Sequence, residues 1–145
     1  MAVRMLAIPF LVAALVAAAQ SASLIHNDLA FTRLETEVSF WGRDKYMPTP
    51  ATREKTSSGI EALITEVPSH PNYLILQASQ LAWEGYWEDN EALSKQALKA
   101  QQKALEYRPA HGQAWVKMIE YLSLVPNKEP ELKEAEAHLA KLARY

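Results

Sequence analysis

The side chains best suited to proton transfer or metal binding in this chain are its four histidines, His26, His70, His111 and His138. A zinc site wants ligands one helical turn apart, two histidines at i and i+4 or a histidine with carboxylates at comparable spacing. No two histidines stand so, and Glu134, four residues before His138, belongs to a stretch rich in Glu and Lys that reads as a solvated face. No metal ligands and no cofactor are expected. Nucleophilic chemistry fares no better, because no serine sits in a Gly-x-Ser-x-Gly elbow, the four glycines form no phosphate-cradling loop, and cysteine is absent. Glu84 and Glu88 are carboxylates one turn apart on a helix, a spacing that by itself specifies no acid–base pair and reads as acidic surface. No residue is assigned a catalytic role, and the chain is not expected to be an enzyme.

Two further groupings point to binding. Lys95, Lys99 and Lys103 fall at i, i+4 and i+8, either an exposed polar face or a stripe for an anionic partner such as acidic polysaccharide or lipid headgroups. Trp83, Tyr86 and Trp87 share one side of a helix. They either pack a turn onto the next hairpin or form a patch for a partner, since aromatic rings dominate interface hot spots and also stack on sugars.

The elements that must carry these residues follow from the bulk pattern. At 145 residues, 49% of them hydrophobic, the chain suits one domain with a real core. Its 15 basic and 17 acidic side chains nearly cancel, which argues against a nucleic-acid partner. Without cysteine the chain is indifferent to an oxidising compartment.

Arg4 precedes an apolar run from Met5 to Ala19, and no charge follows until Asp28. Residues 1–23 therefore read as a signal peptide, with Ala17-Ala18-Ala19 before Gln20 as a cleavage site, or as a membrane anchor if the run extends through Ile25 to the roughly 20 residues a bilayer needs. Either way the remainder, 24–145, is expected outside the cytoplasm, with the basic residue on the N-terminal side of the run. The protein would be anchored in the inner membrane with a periplasmic domain, or soluble in the periplasm if cleaved.

Beyond that segment the periodicity is helical throughout, with no strand alternation. Leu24, Phe31, Leu34, Val38 and Trp41 lie on one face, Gly42 ends that helix, and a polar linker runs to Pro50, with Thr49 as the next cap. Ile60, Leu63, Ile64 and Val67 form the second stripe, Leu74, Ala78, Leu81 and Ala82 the third. Asp89 or Asn90 caps a helix carrying Leu93, Ala97, Ala100, Ala104 and Leu105, whose small residues suit close packing. Trp115, Met118, Ile119 and Leu122, then Leu132, Ala135, Leu139 and Leu142, complete about six helices in three antiparallel hairpins, near 24–67, 71–107 and 110–143.

The frame Pro68-Ser69-His70 recurs 41 residues later as Pro109-Ala110-His111, each copy closing one helix and opening another. With Trp115, Ile119 and Leu122 in one unit, Leu74, Ala78 and Leu81 in the preceding one, and Ala97, Ala104 and Pro109 in a second helix, the chain resembles the tetratricopeptide repeat, a helical hairpin of about 34 residues. The resemblance implies an all-α fold of antiparallel hairpins stacked as a short solenoid behind an N-terminal hydrophobic helix. It also implies a groove lined by Asn72, Ile75 and Ser79 in one unit and by Gln113, Val116 and Glu120 in the next. The longer period puts the excess residues in the turn around Trp83 to Asn90.

A narrower resemblance covers nearly the whole chain. Arg33 and Glu35 leading to Trp41, Pro48-Thr49-Pro50, Pro68-x-His70-Pro71-Asn72-Tyr73 and Leu81-x-Trp83 are similar to the VpsP-type proteins found with bacterial exopolysaccharide biosynthesis systems. This implies a small accessory scaffold with protein partners in the cell envelope. The alternative is a carbohydrate or lipid-headgroup module built on Trp83, Trp87 and the lysine stripe.

Overall fold

A computed structural model describes residues 2–144; within the first helix the side chains of 2–11, 13, 14, 19, 20, 22 and 23 lie outside that description. The described residues form α1 (Ala2–Phe40), a single 3-10 turn (Arg43–Lys45), α2 (Pro50–Glu66), α3 (Pro71–Trp87), α4 (Glu91–Tyr107), α5 (Gly112–Ser123) and α6 (Glu129–Leu142), and no strand. The all-α class expected from the periodicity is correct.

Local chemistry sets the boundaries. Thr49 caps α2 by accepting from the Thr52 amide at 3.2 Å, and Pro50 occupies the first position, where a missing N–H costs nothing. Asn90 rather than Asp89 caps α4, accepting from the amides of Ala92 and Leu93 at 3.1 and 3.4 Å. Asp89 instead supplies the left-handed turn before it, at φ 49°. His70 and His111 occupy the N-cap positions of α3 and α5, but neither side chain makes a capping bond. Their backbone carbonyls accept from the first turns of those helices instead.

Packing follows chain order. α1 pairs with α2, α3 with α4 and α5 with α6, while α3 also touches α1 and α2, and α4 also touches α5. One core joins Ala78, Ala82, Ala97, Leu98, Ala100, Leu105, Met118 and Leu122. A second joins Val38, Trp41, Ile60 and Leu76, flanked by Phe31, Leu34 and Ile64. Within the larger core Gln101 is wholly buried, and its Nε2 donates to the Ala114 carbonyl at 2.6 Å.

Two expectations are corrected. The extra residues of the 41-residue period do not lie in a turn. α3 and α4 are simply 17 residues each, and only Glu88 to Asn90 separate them. Gly85 lies inside α3 where α4 begins against it: a Cβ there would stand 2.8 Å from Ser94 Oγ and 3.2 Å from the Asn90 carbonyl. Leu24, read as part of the first buried stripe, is exposed, because α2 ends near the level of His26 and Asn27; the other described side chains before it are exposed as well. Among the described residues no helix is long and apolar enough to cross a membrane. The run expected to be a signal or anchor, 1–23, falls mostly on side chains outside the description.

Candidate functional site

The end of α1 and the end of α3 meet in a stack of indoles. Trp41 is fully buried, the Trp87 ring lies 5.3 Å from it, and Trp83 stacks on Trp87 at 5.5 Å. The Arg53 guanidinium of α2 sits 5.9 Å from the Trp87 ring centroid and is fixed by Glu88 at 3.0 Å. Tyr86 meets Trp83 edge-on at 6.1 Å and is 67% exposed. So Trp87 is chiefly a packing residue, Trp83 is shared between packing and surface, and Tyr86 is the ring most open to a partner.

The chain between α1 and α2 walls this cluster. Gly42, Asp44 and Lys45 all have left-handed φ, at 75°, 48° and 67°. For Asp44 and Lys45 that conformation stores strain, and such strain concentrates at functional sites. Glu37 holds the segment, since one of its carboxylate oxygens accepts from Trp41 Nε1 at 3.1 Å and from the Tyr46 hydroxyl at 2.9 Å. That bond, with burial and the Glu37 charge adding to it, raises the Tyr46 phenol above its ordinary value, so Tyr46 stays a neutral donor.

Opposite stands the end of α5, with Lys117, Glu120, Ser123 and Leu124, and between the walls lies a groove of about 680 Å³. Ser79 and Ala82 of α3 line it with Tyr121, whose hydroxyl shares a hydrogen bond with Ser79 at 3.1 Å. Burial pushes the Tyr121 phenol up, so it too stays neutral. Lys117 and Glu120 neutralise each other at 2.6 Å, and Met47, Tyr86 and Leu124 leave apolar surface uncovered.

The residues expected to bind divide clearly. Ser79, Trp83, Tyr86, Trp87 and Glu120 come together in the groove. Asn72, Ile75, Gln113 and Val116 do not line it. Asn72 accepts from Arg108 at 3.1 Å, Ile75 packs on the core, and Gln113 and Val116 are surface residues elsewhere on α5. Lys95, Lys99 and Lys103 are exposed on α4 away from the groove, with Lys95 paired to Glu91 at 2.7 Å. The wall from Gly42 to Met47 was not anticipated, although an aromatic and a methionine in an otherwise polar linker were a signal for it.

No family model, curated protein or solved structure matches the chain.

The arrangement suits recognition by shape. His70 stacks on Tyr73 at 4.0 Å and His138 lies 4.1 Å from the Trp115 ring, and neither these nor His111 reaches this groove. Among the described residues no group of three or more His, Asp or Glu is placed to hold a metal ion. What the groove offers is a broad apolar floor, two neutral phenols and a hydroxyl, which can bury a side chain and orient it.

Proposed function

We propose that the chain is a non-enzymatic scaffold that captures a protein partner in the groove between Tyr46, Tyr86 and Leu124. The observation that carries this reading is the groove itself, an apolar trough of about 680 Å³ whose wall is held in a strained backbone by Glu37. Exposed tyrosine and methionine beside a half-buried tryptophan match the composition of interface centres. The hairpins would form a short tetratricopeptide-like array that presents this trough. The resemblance to VpsP-type proteins favours an envelope assembly, such as exopolysaccharide synthesis at the outer face of the inner membrane, as the setting. The rival, a carbohydrate or lipid-headgroup module, has less behind it, because the lysine stripe lies apart from the trough and Trp87 is packed between Trp41, Trp83 and Arg53.

The test is site-specific photo-crosslinking in cells, with the reactive residue placed at Tyr86, at Leu124 and, as a control, at Lys99. The proposal expects one envelope protein crosslinked from both groove positions and not from Lys99, and lost in a Met47→Ser variant. Crosslinks equal from all three positions, or none from Tyr86 and Leu124, would overturn it.

A further inference from the structure

A second groove, of about 740 Å³, runs along the α1–α2 hairpin between residues 26–37 and 51–66. The helices touch where a Cβ on Gly59 would stand 3.0 Å from Leu34 Cδ2, and the groove is the valley above that contact. Two of its lining residues are polar and almost wholly buried, Asn27 at 4% exposure and Thr56 at 3%. Neither side chain has a hydrogen-bond partner among the described residues, yet neither belongs to the polar atoms sealed from solvent. Their bonding capacity therefore opens into the groove. Buried polar groups nearly always find partners, so two along one valley with none in the chain offer their bonds to a ligand that lies in it.

Spacing limits what that ligand is. The helices run antiparallel with Leu34 facing Gly59, so Asn27 and Thr56 stand about ten helical residues apart, or about 15 Å at the helical rise. An extended chain covers that span in about five residues. An asparagine amide carries both a donor and an acceptor, the complement of a peptide group, and a threonine hydroxyl does the same. Charge gives the direction. Arg33 and Lys55 line the groove with no ion-pair partner among the described residues, whereas Glu37 is already engaged by Trp41 and Tyr46. Glu66 lies at the other end, where its carboxylate keeps acidic groups away.

We infer that this groove binds an extended peptide segment carrying carboxylates, its main chain paired to Asn27 and Thr56 and its acids to Arg33 and Lys55. The site is independent of the aromatic groove, so one can fail without the other. The probe is a fluorescein-labelled hexapeptide of alternating glycine and aspartate, with a glycine–lysine hexapeptide as control, titrated with the full chain and read by anisotropy. Saturable binding of the acidic peptide alone is expected, weakened at least tenfold in Asn27→Leu, in near-isosteric Thr56→Val and in the surface double variant Arg33→Gln, Lys55→Gln, and unchanged in Tyr86→Ala. In the unmodified protein the Asn27 side-chain amide resonances should shift on titration, a readout that needs no variant to fold. Equal affinity for the two peptides, no binding of either, or acidic-peptide binding that leaves the Asn27 amide unmoved would overturn the inference.

Discussion

The indole of Trp83 fills the space that a side chain at position 42 would need: a Cβ on Gly42 would stand 2.1 Å from Trp83 Cη2. Gly42 is also held at φ 75°. Gly42→Ala therefore meets a left-handed backbone and a ring end at once, and is expected to lose about 2–4 kcal/mol from those two causes. Urea unfolding followed by tryptophan emission measures the loss. A change under about 0.5 kcal/mol, the range of ordinary surface substitutions, would show that the ring is free to move aside.

Tyr86 and Trp83 separate binding from stability. Tyr86→Ala removes a ring that is mostly in water, so stability should stay within about 0.5 kcal/mol while partner capture is lost. Trp83→Ala should cost about 2–3 kcal/mol, less than a fully buried tryptophan, because part of the ring already faces the groove. Thermal melts of both variants beside the crosslinking assay test the pair.

Gln101 is a buried polar residue half satisfied, its Nε2 bonded to the Ala114 carbonyl and its Oε1 sealed without a partner. Gln101→Met keeps the volume and removes the orphaned oxygen, so it should cost under about 1 kcal/mol. Gln101→Ala leaves a cavity between α4 and α5 and should cost about 2–4 kcal/mol. Comparison of the two by chemical denaturation checks that the amide is tolerated for its size.

Acid should weaken the junction of α2 and α3. Burial, and the Arg108 charge after it, hold the His70 imidazole below its ordinary value. Beside it lie Tyr73, stacked on the ring, and Asn72, bonded to Arg108, while Asp28 and Glu66 act on Tyr73. A histidine that protonates less readily when folded costs nothing above its unfolded value. As pH falls below about 6.5 the unfolded chain takes the proton first, and stability drops until the folded value is passed. Melting temperatures between pH 7.5 and 5 should fall more steeply for the unmodified protein than for His70→Gln, and parallel curves would refute the linkage.

The α3–α4 turn gives a local test. Asn90→Ala removes the acceptor for two amides and should cost about 1 kcal/mol. Asp89→Gly should cost nothing or stabilise slightly, because it relieves a left-handed φ of 49°. Circular dichroism melts decide both.

Most helix boundaries were legible because this sequence punctuates itself with Thr49-Pro50, His70-Pro71, Asn90 and Pro109. Ser79, Trp83, Tyr86, Trp87 and Glu120 were also legible as candidates, since exposed rings late in a helix and small polar positions on a repeat face stand out. That Gly42 to Met47 would fold back over Trp83 was not, because the wall depends on three successive long-range facts: the left-handed turn, the shared Glu37 oxygen and the burial of Trp41. Asn27 was passed over because a polar residue one position off an apolar stripe reads as solvent-facing, and only the placement of α2 buries it.

α1 runs on to Phe40, and between Phe10 and Phe40 it contains neither glycine nor proline. At the helical rise that stretch is a rod of about 45 Å. Its far turns carry Glu37 and, just beyond, Trp41, which hold the groove wall. The described side chains of its near arm are exposed, whereas Asn27, Val38 and Trp41 are buried against the rest of the fold. α1 thus carries, on one unbroken rod, both the Asn27 end of the hairpin groove and the Glu37 turn that holds the wall of the aromatic one.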